Sequence, residues 1–362
     1  MPIESMAAVA RAAADKFSWE TVHVEDPGPG EVLVRLVATG VCHTDLSVLA
    51  GRLPTPLPAV LGHEGAGVVE AVGVGVTTAA VGDRVVLSFA SCGACARCRT
   101  GRPTQCFTYF PLNFRARRPD GTTPLRDDAG DPIGGLFFGQ SSLAQYAVAS
   151  QHSVVPVAVE NDDELALLAP IGCGIQTGAG TVLNLLRPPP GSRIAVVGAG
   201  AVGLSAVMAA RLCGASEIVA VDRVPARLGL ASELGATATT TEASELREFD
   251  FIIETTGVPN LLEAALEQIR AGGTVAIIGA PPSGTRIALD VNAMIDGRTL
   301  LGVTEGGSDR VTFIPALIEL YRAGRLPLDR LVRFYPPTAL QRAVDDARAG
   351  ITVKPVIRFE AP

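Results

Sequence analysis

Two spacings of apolar residues divide the chain. In the first part they form short runs broken by Gly and Pro. Residues 31–39 (EVLVRLVAT) follow the turn signal Pro27-Gly28-Pro29-Gly30, and 65–72 and 83–87 are further short apolar runs. Such runs predict a compact, barrel-like β-rich domain. From Arg193 onward, strand and helix patterns alternate. Strands are predicted over 193–197, 217–222, 249–255 and 274–279, and helices over 202–212, 223–234 and 261–269. This alternation predicts an α/β fold with a doubly wound parallel sheet. Helices over 311–323 and 340–349 and a strand over 354–359 complete the chain. Residues 91–135 are rich in Cys, Gly, Pro and Arg and show no period. An irregular segment of that length needs a staple or a function.

Length and composition narrow the class. At 362 residues the chain exceeds one typical core, so two domains are expected. It is 48% hydrophobic and 19% charged, as ordinary globular enzymes are. With a net charge of −7 it offers no basic field to nucleic acid and no cationic block to a membrane surface. The first residues lack the order of a signal peptide, and no apolar run reaches the 18 residues of a membrane span. A cytoplasmic location is expected.

The sheet part carries a phosphate-binding fingerprint. Gly198-Ala199-Gly200-Ala201-Val202-Gly203 follows a predicted strand and opens a predicted helix. The first Gly makes the tight turn, the second admits a pyrophosphate, and the third lets helix and strand pack. The helix N-terminus adds unpaired N–H groups and a positive dipole end. Asp222 ends the next strand, about 20 residues on, where a ribose-binding acid belongs. It would repel a 2′-phosphate, which favours NAD over NADP. Arg223 beside it is the counter-indication, read here as a surface residue.

Seven cysteines occur: 42, 92, 95, 98, 106, 173 and 213. In a reducing compartment they point to metal or catalysis rather than disulfides. Cys92, Cys95, Cys98 and Cys106 form a dense set that would close a tetrahedral zinc site and hold the irregular segment in shape. An iron–sulfur cluster is the rival, but no Pro follows the last Cys and the final spacing is long. Cys42, His63 and Cys173 are candidates for a second site, two thiolates and one imidazole with an open position. Their separations of 21 and 110 residues form no local motif. Cys213 reads as a small buried apolar residue.

Taken together, GlyHisGluGlyAlaGly (62–67), the four-Cys lobe, GlyCysGly (172–174) and the dinucleotide fingerprint resemble the zinc-containing medium-chain alcohol dehydrogenases, in order and spacing, over essentially the whole chain. Glu305-Gly306-Gly307, Phe313-Ile314-Pro315 and residues 326–334 are similar to the bacterial aryl-alcohol (benzyl alcohol) dehydrogenase branch. The resemblance implies a GroES-like β-rich catalytic domain (1–174 and 305–362, with the zinc lobe at 91–107) and a Rossmann NAD-binding domain (175–304). It implies a catalytic zinc on Cys42, His63 and Cys173, with Glu64 behind it as an exchangeable ligand, and a structural zinc in the lobe. Asp45 would orient His63, and Thr44 would bond the substrate oxygen and begin proton removal. His43 and Lys354 would contact the pyrophosphate. Ala201, Val202, Arg223 and Arg227 belong to the implied cofactor set, as do Ile278, Val303 and Glu305, whose backbone would meet the nicotinamide amide. A homodimer or homotetramer is also implied.

One position departs from the family. Its members often carry a proton-relay His three residues after the Thr; here that residue is Ser47. The implied reaction interconverts a primary alcohol and its aldehyde by hydride transfer to NAD, with the protein supplying position and electrostatics. Phe107, Tyr109, Phe110, Phe114, Phe137 and Phe138 either line an aromatic pocket for benzyl-type or terpenoid alcohols or pack the lobe, with Phe137 and Phe138 assigned to the substrate pocket. A thiol-adduct formaldehyde dehydrogenase is the alternative, with Arg115, Arg117 and Arg118 at the pocket mouth. A non-catalytic NAD- and zinc-binding protein is a second.

Overall fold

The computed structural model describes residues 2–13 and 16–360, and the chain divides into two units. The first comprises Met1–Cys173, Asp309–Ile318 and Leu331–Pro362; the second comprises Gly174–Ser308 and Glu319–Arg330.

Strand Glu31–Gly40 organises the first unit. Nine of its ten residues are buried, and it pairs antiparallel with Gly65–Val72, Tyr146–Ser150 and Lys354–Arg358. The pairing with Gly65–Val72 shifts register at Leu33/Val34 and again at Leu36/Ala38. Such irregularities bend a strand and let one strand serve several partners. Arg84–Leu87 and Val154–Pro156 extend this sheet on one side and Val332–Tyr335 on the other. A second antiparallel sheet runs Ala59–Val60, Ile3–Ala10, Ser18–Val24, Leu125–Asp127, Pro132–Ile133. Residues 143–145 tie the sheets together: Ala8 N–H bonds Leu143 O, Gln145 N–H bonds Met6 O, and Leu36 N–H bonds Gln145 O.

Two features of this unit were not expected. Ile3–Ala10 is a strand although it is Ala-rich and weak in β-propensity. Ala7, Ala8, Val9 and Ala10 are fully buried, so close packing favours small side chains there. The segment 91–135 is not structureless either. It holds short helices at Ala96–Arg99 and Tyr109–Phe114 and a strand at Leu125–Asp127.

In the second unit six parallel strands lie in the order Ala238–Thr240, Glu217–Val221, Arg193–Val197, Phe249–Glu254, Ile269–Ile277, Thr299–Gly302. The chain starts in the middle, winds outward to one edge and then to the other, which is the doubly wound arrangement. The inner strands read as unbroken apolar runs because both faces are covered, as with Ile194, Ala195, Val196 and Val197. The helix expected from 223 begins at Pro225, where Pro fits the first helical position and Val224 is extended. Among the described residues no single helix is long and apolar enough to cross a membrane.

Candidate active site

The metal-type cluster of the first unit is built on the end of strand Glu31–Gly40. Two residues on, Cys42 caps helix His43–Leu49. Asp45, in the first turn of that helix, is fully buried and faces three donors. Its Oδ2 accepts the Cys42 N–H at 2.9 Å, and its Oδ1 accepts the Gly62 N–H at 3.1 Å and meets His63 Nδ1 at 2.8 Å. A carboxylate on Nδ1 fixes the proton there and leaves Nε2 as the ligating atom. His63 Nε2 is buried and has no hydrogen-bond partner among the described residues. It lies in one group with the Cys42 and Cys173 sulfurs, all ligand atoms within 4.8 Å of one another. An orphaned imidazole nitrogen between two soft thiols fits a zinc ion.

The electrostatics agree. A hydrogen bond from Cys173, outweighing burial, and the charges of His63 and Lys354 hold the Cys42 thiol well below its ordinary range. Burial pulls His63 down, but Asp45 and Cys42 outweigh it and raise it. The cluster thus prefers thiolate opposite positive charge, the preference a divalent cation satisfies.

The flanking glycines are sterically required. Gly62 has φ +90°, and a Cβ on it would come within 2.4 Å of the Leu143 nitrogen. Beside Cys173, a Cβ on Gly172 would lie 2.0 Å from the Leu87 carbonyl oxygen. Gln140 holds the loop from inside: its Oε1 accepts the Gly65 N–H, and its Nε2 donates to His63 O and Ser88 O, each at 3.0 Å. Nothing in the sequence marked Gln140, because its three partners come from separate parts of the chain.

Glu64 pairs with a buried cation. Both its oxygens receive the Lys354 ammonium, at 2.8 and 2.9 Å, and both side chains are buried. Burial raises the Glu64 carboxyl despite Lys354; burial is also the largest influence on Lys354 and pulls it down, but Glu64 together with Cys42 and Cys173 raises it. Lys354, expected at the pyrophosphate, thus has Glu64 as its immediate partner. Thr44 is half-buried with Oγ1 3.9 Å from Cys42 Sγ, His43 is exposed, and Ser47 is buried.

A file of aromatic rings leads from the surface to the cluster. Exposed Phe110 stacks on Phe114 (5.6 Å), Phe114 meets Phe138 edge-on (5.1 Å), and Phe138 stacks on the His63 ring (4.5 Å, 27°). Phe137 meets His63 at 5.7 Å and is fully buried, so packing is part of its role. Phe138 holds a φ of +52°, a rare conformation for a bulky residue. Arg118 is committed to Glu31 by two hydrogen bonds (2.8 and 2.9 Å), which draws it away from any anionic ligand.

The four lobe sulfurs also lie within 4.8 Å of one another. Backbone N–H groups point at sulfur from Cys92 to Cys106 Sγ and from Cys95 to Cys92 Sγ, each at 3.3 Å. Hydrogen bonds from the Cys98 and Phe107 backbone lower Cys95 to about 6, while burial and the neighbouring thiols push Cys98 up to about 12. Four thiols cannot all ionise this close together without a cation, so the donor set fits a tetrahedral zinc.

In the second unit, Gly198 turns with φ +96°. Gly200 faces open space, and a Cβ on Gly203 would lie 1.8 Å from the Gly198 oxygen. Helix Ala201–Leu212 opens here, with Val202 in its first turn. Asp222 ties the loop to the sheet edge, its Oδ2 accepting the Ala199 N–H (2.7 Å) and its Oδ1 the Val224 N–H (2.9 Å). Arg227 Nη1 is 3.9 Å from Asp222 Oδ2, and Arg223 is exposed. This open, N–H-lined turn fits a dinucleotide phosphate. Ile278 and Val303 follow the carboxyl ends of the last two strands. Glu305 is buried, with its Oε2 accepting from Gln176 (3.2 Å) and Thr177 (3.3 Å). Glu254, unmarked in sequence, is fully buried and receives the Thr256 and Gly257 N–H groups, which fixes the loop at the same edge.

Comparison with known proteins agrees with this geometry. Residues 28–159 match the alcohol dehydrogenase GroES-like domain, and residues 201–321 match the zinc-binding dehydrogenase domain. The chain is 42% identical to a geraniol dehydrogenase of Castellaniella defragrans over 99% of this chain and 98% of that one. Among solved structures it is similar to an alcohol dehydrogenase zinc-binding domain protein of Burkholderia ambifaria, at 48% identity, full coverage of both chains and a TM-score of 0.95. It is also similar to the benzyl alcohol dehydrogenase of Acinetobacter calcoaceticus, at 42% identity, a TM-score of 0.93 and coverage of 99% of this chain and all of that one. With both domain types in order and these likenesses running its full length, the chain belongs to the zinc-containing medium-chain alcohol dehydrogenases, an α/β family that joins a GroES-like domain to a Rossmann domain.

Proposed function

We propose that the chain interconverts a primary aromatic or terpenoid alcohol and its aldehyde, with NAD as hydride carrier. The observation that carries this reading is the Cys42–His63–Cys173 set, with its orphaned imidazole nitrogen and an aromatic ring stacked on the same imidazole. The names of the geraniol and benzyl alcohol dehydrogenases it resembles support the substrate class. The thiol-adduct alternative loses support from the commitment of Arg118 to Glu31.

In this reading Cys42, His63 and Cys173 hold a catalytic zinc with Glu64 behind it, and Cys92, Cys95, Cys98 and Cys106 hold a structural one, two per chain. When bound, zinc supplies Lewis-acid activation of the alcohol oxygen and NAD accepts the hydride. Asp45 holds the His63 ring and its proton. Thr44, half-buried beside Cys42, takes the alcohol proton. Buried Ser47 does not carry it to solvent. Phe138 with Phe114 walls the substrate ring and keeps water from the reacting carbon. Gly198, Gly200, Ala201, Val202 and Gly203 receive the pyrophosphate, while Asp222 receives the ribose and selects NAD over NADP. Ile278, Val303 and Glu305 meet the nicotinamide amide through their backbone. Residues 1–174 and 305–362 form the catalytic domain and 175–304 the NAD domain. A cytoplasmic homodimer or homotetramer is part of the proposal.

The test is the initial rate of NADH formation with benzyl alcohol, geraniol and ethanol. Benzyl alcohol or geraniol should give a kcat/KM well above that of ethanol. A rate with ethanol alone would overturn the substrate class, and formaldehyde oxidation only with added thiol would favour the alternative.

A further inference from the structure

A zinc ion held by four thiolates is a dianion, and charge in a partly buried lobe calls for a counter-charge. The charges on the lobe's own surface, Arg97, Arg99 and Arg102, are exposed and screened by solvent. His152 lies against the lobe at Gly93, where an added Cβ would come within 2.5 Å of its ring. Burial and the charge of Arg310 keep that imidazole below its ordinary value, so it adds no charge.

One buried cation meets the first stem of the lobe directly and the second through an aromatic ring. Arg310, the first residue of helix Arg310–Arg322, is 5% exposed. Its Nη2 donates at 3.0 Å to Ser91 Oγ, one residue before Cys92. Its guanidinium carbon sits 4.8 Å from the centre of the Phe89 ring. Phe89 packs at 5.9 Å against Tyr109, three residues beyond Cys106. Asn113 locks the stems together, accepting the Ala90 N–H at 2.8 Å and donating to Ala90 O and Tyr109 O. The remaining donors of Arg310, Nε and Nη1, are buried and make no hydrogen bond among the described residues. Unpaired arginine is among the groups least often buried, so these donors require negative charge nearby.

We infer that Arg310 is the counter-cation of the metal-loaded cysteine lobe, a positioning residue that lowers the cost of the zinc–tetrathiolate dianion and braces its first stem. This rests on the reading that the lobe holds zinc. Burial pulls Arg310 down to about 10, and Asp309 first and then Cys98, Tyr109 and Cys106, two of them lobe thiols, act against burial. A cation so placed retains the metal and lowers the nucleophilicity of the bound thiolates toward alkylating agents. The function served is resistance of the lobe to metal loss.

The test uses the full-length, zinc-loaded protein with R310M, R310K and S91A. The readouts are zinc per chain and the rate at which iodoacetamide alkylates Cys92, Cys95, Cys98 and Cys106 under a zinc chelator, read by mass spectrometry. R310M should lose lobe zinc and gain alkylation about 10–100-fold faster, the range for loss of an outer partner of a metal site. Cys42 and Cys173 should react as in the wild type. R310K keeps the charge and S91A removes only the hydrogen bond, so both should stay near wild type. R310Q repeats the test should R310M fail to fold. Wild-type zinc retention in R310M or R310Q, or equal losses in R310K and R310M, would overturn the inference. A wild-type lobe without zinc would instead overturn the reading of the lobe itself.

Discussion

Asp45→Asn is the most informative single change at the catalytic cluster. The carboxylate sits among three buried donors: the Cys42 N–H at 2.9 Å, the Gly62 N–H at 3.1 Å and His63 Nδ1 at 2.8 Å. Asn has the same shape, so no cavity opens, but it offers one oxygen and one NH2. If the oxygen keeps Gly62 and His63, the NH2 opposes the Cys42 N–H. If it turns the other way, the NH2 opposes the His63 Nδ1–H and drives the proton to Nε2, the atom needed for metal. Either way a buried donor is stranded, at a cost of about 1–3 kcal/mol. Loss of a carboxylate behind a ligating His weakens metal binding about 10–100-fold, or about 1.4–2.8 kcal/mol. The assay is competition with a chromogenic zinc chelator, with kcat/KM measured on the same samples. D45N should lose one zinc class and activity in proportion, while the lobe zinc stays. Zinc affinity within about twofold of wild type, or loss from the lobe instead, would refute the reasoning.

Three further outcomes follow from the same geometry. Phe138→Ala removes the ring stacked on His63 and should lower kcat/KM for benzyl alcohol more than for ethanol; equal losses would show that the ring only packs the core. Lys354→Met strands the buried Glu64 carboxylate and should destabilise the protein by about 3–5 kcal/mol in denaturant unfolding. The double variant with Glu64→Gln should recover much of that, and no recovery would mean that the two side chains do not act as a pair. Asp222→Ala should weaken NAD more than NADP in kcat/KM, and an unchanged preference would place the cofactor choice elsewhere, with exposed Arg223 or with Arg227 as the next candidates.

The second unit was the more legible in sequence. Its strands are covered on both faces, so each reads as an apolar run, and the glycines of 198–203 are forced by local sterics at fixed spacing. The four lobe cysteines were visible for the same reason, being close in sequence. The Cys42, His63 and Cys173 set was reached only through family resemblance, because its members meet by tertiary folding. Gln140 and Arg310 act through partners 52 to 219 positions away, and no local pattern announces such a bond. Strand Ile3–Ala10 was hidden because its alanines are chosen for fit in a tight core rather than for strand propensity. The short helices of the lobe were hidden because they are one turn long or little more, held by the ends of the segment rather than by an amphipathic pattern.

The most direct test of the central claim follows the hydride. The protein is incubated with NAD and benzyl alcohol carrying two deuterium atoms on the alcohol carbon, before and after removal of the catalytic zinc, and the product cofactor is analysed by mass spectrometry. The account predicts one deuterium in each reduced nicotinamide, equimolar benzaldehyde, and loss of both on zinc removal with recovery on zinc return. Reduced cofactor without deuterium, or undiminished turnover with the Cys42–His63–Cys173 site empty of metal, would contradict it.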